Sequence, residues 1–365
     1  FFFQAEDGIR ALVRSRGLGD VYKRQSIWCS KEFSMLQHKR VALALVVVLI
    51  VVIGAVLLLS LHVSPPISNI TVNPSESNWP MFRYNLSHSG YSTSTAPSEP
   101  NLLWNYTTEL DYPDGPREGI SSSTVVADGY LYFGGDVNVY CLDASSGEQV
   151  WIYRTSGYGS VTPAVAGGYV YIGVLALLED IPSSPNVVCL DALTGSKVWN
   201  FTTSSHVASS PAVADGCIYV MCVDGNVYCL DALTGNKMWN YQTYGVGRSS
   251  PSVVDGFVYV GSGDGNVNCF NAITGEKVWN YMTGQEKPWE AHAVLSSPSV
   301  VDGFVYVGSL DGKVYCLNAV NGEKVWNYTT GSGVQSSPAV ASGYVYIGSN
   351  DDNLYCLNAS SGEKV

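Results

Sequence analysis

The sequence predicts an all-β protein: a β-propeller of four-stranded antiparallel blades, preceded by one N-terminal transmembrane helix. Three observations predict it. The string Tyr228-Cys-Leu-Asp-Ala-Leu-Thr-Gly-Asn-Lys-Met-Trp239 returns nearly unchanged, ending at Trp151, Trp199, Trp279 and Trp326 and beginning again at Tyr355. With Trp104 as first marker, the Trp-to-Trp spacings are 47, 48, 40, 40 and 47, a period near 40 with three insertions. Within each period short apolar runs alternate with Asp-Gly and Thr-Gly pairs, and no window carries a helical apolar period.

One repeat shows how the elements follow. Ser250 to Val254 is a β-branched run, and Asp255-Gly256 turns it into Phe257 to Ser262. Asp264-Gly265 then leads into Asn266 to Asn271, and Thr274-Gly275 into Glu276 to Thr283. These are four strands of about 5–8 residues, joined by turns whose glycines accept positive φ. A single four-stranded sheet cannot bury both faces, so neighbouring blades must stack. Trp104, Trp151, Trp199, Trp239, Trp279 and Trp326 fit that requirement, one docking indole per blade. A buried aromatic removes roughly 150–250 Å² from water.

The repeat Cys-Leu-Asp-Ala-x-Thr-Gly-x-Lys-x-Trp resembles the tryptophan-docking motif of the pyrroloquinoline-quinone (PQQ) repeat, with Cys where that motif usually has Ala. Trp79-Pro-Met-Phe-Arg-Tyr-Asn-x-x-His-Ser-Gly-Tyr91 is similar to the segment before the first blade of PQQ-like and BamB-like propellers. The resemblance spans residues 79–365 and implies the propeller fold. It departs at Asn271, Asn318 and Asn358, where Asp is usual, and at Asn321 and Ser361, which replace Thr before Gly. Asn and Ser suit the same turns.

Ahead of the repeats, residues 1–34 contain no initiator Met and no usable periodicity; they read as non-native sequence or a disordered cytoplasmic tail. From Met35 the chain reads as a start. His38-Lys39-Arg40 is a basic flank, and Val41 to Leu61 is an apolar stretch long enough to span a bilayer. The basic residues place their end in the cytoplasm, so the expectation for residues 35–63 is a signal anchor with the propeller outside. Residues 64–78, rich in Pro, Ser and Asn, read as an extracellular tether.

Charge narrows the partners. Residues 1–34 hold six of the 19 Lys and Arg and four of the 31 Asp and Glu, which leaves 13 basic against 27 acidic, a net of −14. Such a surface repels nucleic acid and anionic headgroups. Nine cysteines would ordinarily point to disulfides in an exported protein. Here Cys141, Cys189, Cys229, Cys269, Cys316 and Cys356 occupy one equivalent position in six blades, too far apart to bridge. They read as small buried apolar residues. Cys217 and Cys222, five apart on one strand, face opposite ways.

Trp104 lies in what corresponds to the last strand of a blade whose other strands are not upstream, so this strand is expected to complete the final blade and close the ring. Five whole blades and a sixth, reaching just into its fourth strand, are expected between Ser122 and Val365. The native chain is expected to continue by at least ~40 residues for seven blades or ~80 for eight. A six-bladed ring is the alternative. The insertions, Glu109 to Ser121, Val174 to Asn186 and Gly284 to Leu295, all fall at one end of the strands, so one face is crowned by loops. Tyr112, Arg117 and Glu118 in the first, with Trp289, Glu290 and His292 in the last, are the candidate binding residues.

Function is therefore expected to be binding: a membrane-anchored extracytoplasmic module for a protein, glycan or envelope ligand. The resemblance also raises a PQQ-dependent dehydrogenase and a BamB-like assembly factor as alternatives. In such dehydrogenases PQQ lies against a disulfide of adjacent cysteines beside Ca²⁺, and no two cysteines are adjacent here. Neither PQQ nor Ca²⁺ is expected, nor any catalytic residue. Catalytic triads, P-loops and Rossmann glycines are absent.

Overall fold

The structure is a computed structural model that describes residues 78–92, 101–108, 119–120, 122–135, 137–155, 161–175, 186–284 and 292–365. The chain divides into two units, Phe1–Ser64 and Pro65–Val365, and all described residues belong to the second. The expected anchor at Val41 to Leu61, the leader and the tether up to residue 77 lie outside the described residues. Among those residues no helix is long and apolar enough to cross a membrane.

Among the described residues the only regular elements are strands. Five four-stranded sheets and one three-stranded sheet follow in chain order: blade 1 (residues 125–154), blade 2 (164–201), blade 3 (212–242), blade 4 (252–282), blade 5 (299–329) and blade 6 (339–358). Blade 4 is typical, with strands Ser252–Val254, Phe257–Gly261, Asn266–Asn271 and Lys277–Met282, each antiparallel to the last. The first strand has only three residues, shorter than the apolar run in the sequence, since Pro251 has no N–H to donate to a ladder. First strands of consecutive blades touch one another, which makes them the innermost strands.

Local chemistry dictates the turns. Both residues of each first hairpin have positive φ, for example Asp255 (51°) and Gly256 (78°), the conformation that Asp-Gly favours. At the turn between strands three and four the Oδ1 of Asp191 accepts the amides of Leu193 and Thr194 at 3.1 and 2.8 Å. Asn271, Asn318 and Asn358 do the same in their blades, so the Asp-to-Asn replacements preserve the turn.

The repeated motif is one half of a joint. Trp151 Nε1 donates to Ala192 O of the next blade at 2.9 Å, and Trp199, Trp239, Trp279 and Trp326 repeat this with Ala232, Ala272, Ala319 and Ala359 at 2.9–3.0 Å. Each indole lies on the next blade's turn glycine, where a Cβ on Gly275 would come within 2.6 Å of the Trp239 ring. A tyrosine from the second strand shares the same carbonyl, as Tyr259 does with Ala319 at 3.2 Å. Residues 101–108 form no strand of a sheet. They nevertheless dock as the sequence predicts for a fourth strand, with Trp104 Nε1 donating to Ala144 O of blade 1 at 3.2 Å over Gly147.

A feature absent from the repeat pattern occupies the hub. Residues 79–90 run past the innermost strands in blade order, offering backbone carbonyls to their central valines. Trp79 bridges Val126, while Pro80, Leu86, Ser87 and Ser89 accept from Val165, Val253, Val300 and Val340 at 2.8–3.0 Å. Met81, fully buried, packs in the cluster that holds Ala212 and Val213 of blade 3. A belt of hydroxyls links the same strands: Ser210 N donates to Ser250 Oγ, Ser250 N to Ser297 Oγ, and Ser297 N to Ser337 Oγ, at 2.8–3.0 Å.

Candidate binding face

In every blade the turn between strands two and three and the connection to the next blade share one end. A threonine laces them: the Oγ1 of Thr155, Thr243, Thr283 and Thr330 donates to the carbonyl of Val137, Gly225, Gly265 and Gly312 at 2.6–2.9 Å. The three insertions open at this end. The second is pinched at its base, where Val174 N donates to Asn186 O at 2.8 Å.

Of the residues singled out in the sequence, Tyr112, Arg117, Glu118, Trp289 and Glu290 lie outside the described residues. His292 is described, and its place corrects the expectation of an exposed ligand contact: it is 6 % exposed. Its carbonyl accepts from Thr283 Oγ1 and Ser309 Oγ at 3.0 and 3.2 Å, and its imidazole fills space left by Gly265. The returning leg of the loop must re-enter the joint between blades 4 and 5, and His292 is the residue wedged there. Its Nδ1 has no hydrogen-bond partner among the described residues.

What this end does expose is a pair of side chains in an uninserted connection. Tyr244 is 77 % and Val246 45 % exposed. Between them Gly245 (φ 91°) is pressed against Gly263, where a Cβ would come within 2.7 Å of the backbone, so the connection is held down and its neighbours project outward. His206 lies in the preceding connection and Arg248 in the same one as Tyr244; partial burial and the Arg248 charge lower the His206 pKa. Loop length alone, the sequence criterion, passed over Tyr244. An aromatic-Gly-aliphatic triplet in a solvent connection was the available signal.

At the hub, Arg83 is partly buried. Its Nε donates to His88 O at 3.0 Å, one terminal nitrogen to Ser337 O at 2.8 Å and the other to Pro338 O. Burial without a carboxylate partner lowers its pKa to about 10. It borders a cavity of about 770 Å³ between blades 1 and 6, lined also by Trp79, Phe82, Ser123 and Thr124.

A quinone cofactor and its cation would need a cluster of ligating side chains. Among the described residues no three His, Cys, Asp or Glu side chains converge, and residues 79–90 hydrogen-bond along the innermost strands. The described residues do not fit such a group.

The family profile described as outer membrane protein assembly factor BamB matches residues 93–180 and 173–365. The chain belongs to this PQQ-repeat β-propeller family. Solved PQQ-repeat propellers share its fold. BamB from Moraxella catarrhalis is 19 % identical, with TM-score 0.56 over 67 % of this chain and 74 % of that one. A europium-containing methanol dehydrogenase is 13 % identical, with TM-score 0.56 over 80 % and 85 %. The quinohemoprotein alcohol dehydrogenase ADHIIG from Pseudomonas putida HK5 is 17 % identical, with TM-score 0.51 over 82 % and 74 %. At these identities the likeness concerns the fold of the PQQ-repeat propeller alone. No curated protein matches the chain.

Proposed function

We propose that this PQQ-repeat propeller is a non-catalytic binding module, anchored in the cell membrane by Val41 to Leu61 and held outside the cytoplasm, whose partner is a protein or other envelope ligand. The observation that carries the reading is the asymmetry of the two ends. One end is closed by tight, self-capped turns; the other bears all three insertions together with the outward Tyr244 and Val246. Exposed aromatics on a rigid scaffold are where binding energy concentrates. A part in assembling envelope proteins is a second reading, favoured by the BamB family match.

The test replaces residues 284–295 with the short connection 331–335 and, separately, changes Tyr244→Ser. Partners of the intact protein are first fixed by cross-linking on whole cells, then titrated against each variant. The expected outcome is at least a tenfold weaker Kd for both variants with an unchanged melting curve. Undiminished binding in both, or dye reduction with alcohols or aldoses after adding PQQ and Ca²⁺, would overturn the reading. Protease accessibility of the propeller in intact cells checks the side of the membrane.

A further inference from the structure

We propose that Cys217 and Cys229 form a redox-reactive dithiol in blade 3, a site that small-molecule disulfides modify and convert to an internal disulfide. The motif that singles it out is a break in the repeat. The second strand of each other blade begins with an aromatic, Tyr130, Tyr169, Phe257, Phe304 and Tyr344; in blade 3 it begins with Cys217. In blades 1, 2, 4 and 5 that aromatic packs on the cluster containing the strand-three cysteine: Tyr130 with Cys141, Tyr169 with Cys189, Phe257 with Cys269, Phe304 with Cys316. Blade 3 alone puts a second thiol where the ring would be.

The register brings the sulfurs together. Strand Cys217–Met221 pairs with Asn226–Asp231 so that Cys217 stands opposite Asp231, and Tyr219 opposite Cys229. Opposed residues and those two apart share a face of the sheet. Cys217 and Cys229 are therefore diagonal neighbours on the face turned to blade 4, where Tyr219 OH donates to Ala272 O at 3.2 Å. A diagonal pair has Cα atoms about 7–8 Å apart, and a disulfide closes below about 7 Å. Closure draws in the start of a strand that directly follows the Asp215-Gly216 turn.

The two sulfurs have distinct roles. Cys217 is only half-buried, so a reagent reaches it; Cys229 is fully buried. The neighbouring Cys229 thiol lowers the Cys217 pKa, whereas burial pushes Cys141, Cys269 and Cys316 up to about 12. Cys222 is on the opposite face, its thiol donating to Ser205 O and His206 O at 3.2 and 3.3 Å. In the first step the Cys217 thiolate attacks one sulfur of the small disulfide, whose S–S bond breaks, and the departing thiolate takes up a proton. In the second, Cys229 gives up its proton and attacks Cys217 sulfur, expelling the second small thiol. One small disulfide is reduced to two thiols by the two electrons that leave the protein dithiol.

The test treats the intact protein with oxidised glutathione, blocks remaining thiols by alkylation and cleaves before aspartate, which separates Cys217 from Cys229 at Asp224 and Asp231. Two alkylation sites should be lost, with one cross-linked peptide pair about 2 Da lighter than the sum of its reduced parts, reversed by dithiothreitol. Cys222→Ala should retain the cross-link. Cys217→Tyr, which restores the aromatic of the other blades and so keeps the joint packed, should abolish it. A stable glutathione adduct on Cys217 with Cys229 still alkylatable would overturn the proposal, as would a cross-link that persists in Cys217→Tyr, or no reaction at all in the folded protein.

Discussion

Each docking indole has two separable contributions, ring burial and one hydrogen bond, and the six equivalent positions allow both to be measured. Trp279 is 8 % exposed and donates to Ala319 O at 2.9 Å. Trp279→Ala should cost about 3–5 kcal/mol in urea unfolding. Trp279→Phe keeps most of the ring and loses the bond, so at least about 1 kcal/mol of that loss should remain. An equal cost for both would mean that the bond, rather than the packing, holds the joint. His88 is a different case, a fully buried imidazole whose pKa is lowered to about 3, by burial first and the Arg83 charge second. It stays neutral in the folded protein and hydrogen-bonds Pro298 O at 3.2 Å, while the unfolded chain takes up a proton below its ordinary value of 6.5. Stability from this group is therefore complete above pH 6.5 and falls as the pH drops from there toward 3. His88→Gln should reduce the loss of stability between about pH 6.5 and 5, above the range where carboxylates titrate. His206, whose pKa is also lowered, leaves a residual slope. A variant with the wild-type slope would remove His88 from the account.

Among the elements, the hub segment ties together what the repeat leaves as neighbours only. Its carbonyls reach four innermost strands beyond the Trp79 bridge, and Arg83 fastens its return to blade 6. A chain beginning at residue 93 should therefore melt at least about 5 °C lower than the intact protein, since several net hydrogen bonds and a buried Met81 are lost. A peptide of residues 78–92 added in trans should restore part of the difference, and the Arg83→Gln peptide should restore less. No rescue by either would mean that the segment is a passenger at the hub. This element also marks the limit of what the chain reveals unaided. The blades were legible because a side-chain identity, Trp or Gly, recurs wherever a joint recurs. The hub segment binds through backbone carbonyls, and Arg83, Tyr84 and His88 hold positive φ there without being glycine. No residue pattern encodes that. His292 misled for a related reason: insertion length locates a loop but not which leg of it turns inward. The Cys217 substitution was visible in the alignment of repeats, yet its meaning depended on the diagonal register with Cys229.

For the molecule as a whole, stability in a stacked array depends on how many joints a blade shares, because the ladder of the first three strands recurs in every blade. Blades 2 to 5 are covered on both faces. In blade 6 the tyrosine equivalent to Tyr306 is Tyr346, and exposure rises from 3 % to 39 %; Leu354 on the next strand is 77 % exposed. Tyr306 OH donates to Ala359 O across the joint. In the structure described, the central strand Tyr344–Gly348 is paired on both sides as Phe257–Gly261 is but has one packed face instead of two, whereas Leu354–Asn358 lacks the fourth-strand partner that Asn266–Asn271 has. Native-state hydrogen exchange on the two central strands separates ladder from joint. If joints set the local opening free energy in the 365-residue chain, the amides of residues 344–348 exchange at least tenfold faster than those of 257–261, a difference of about 1.4 kcal/mol or more. Trp326→Ala should then speed blade 6 much more than blade 2 in that chain, because the joint it opens is the one described joint of blade 6. Uniform protection across the blades would instead make the unit one cooperative whole, with the hub segment rather than the indole joints as the element that every opening must break.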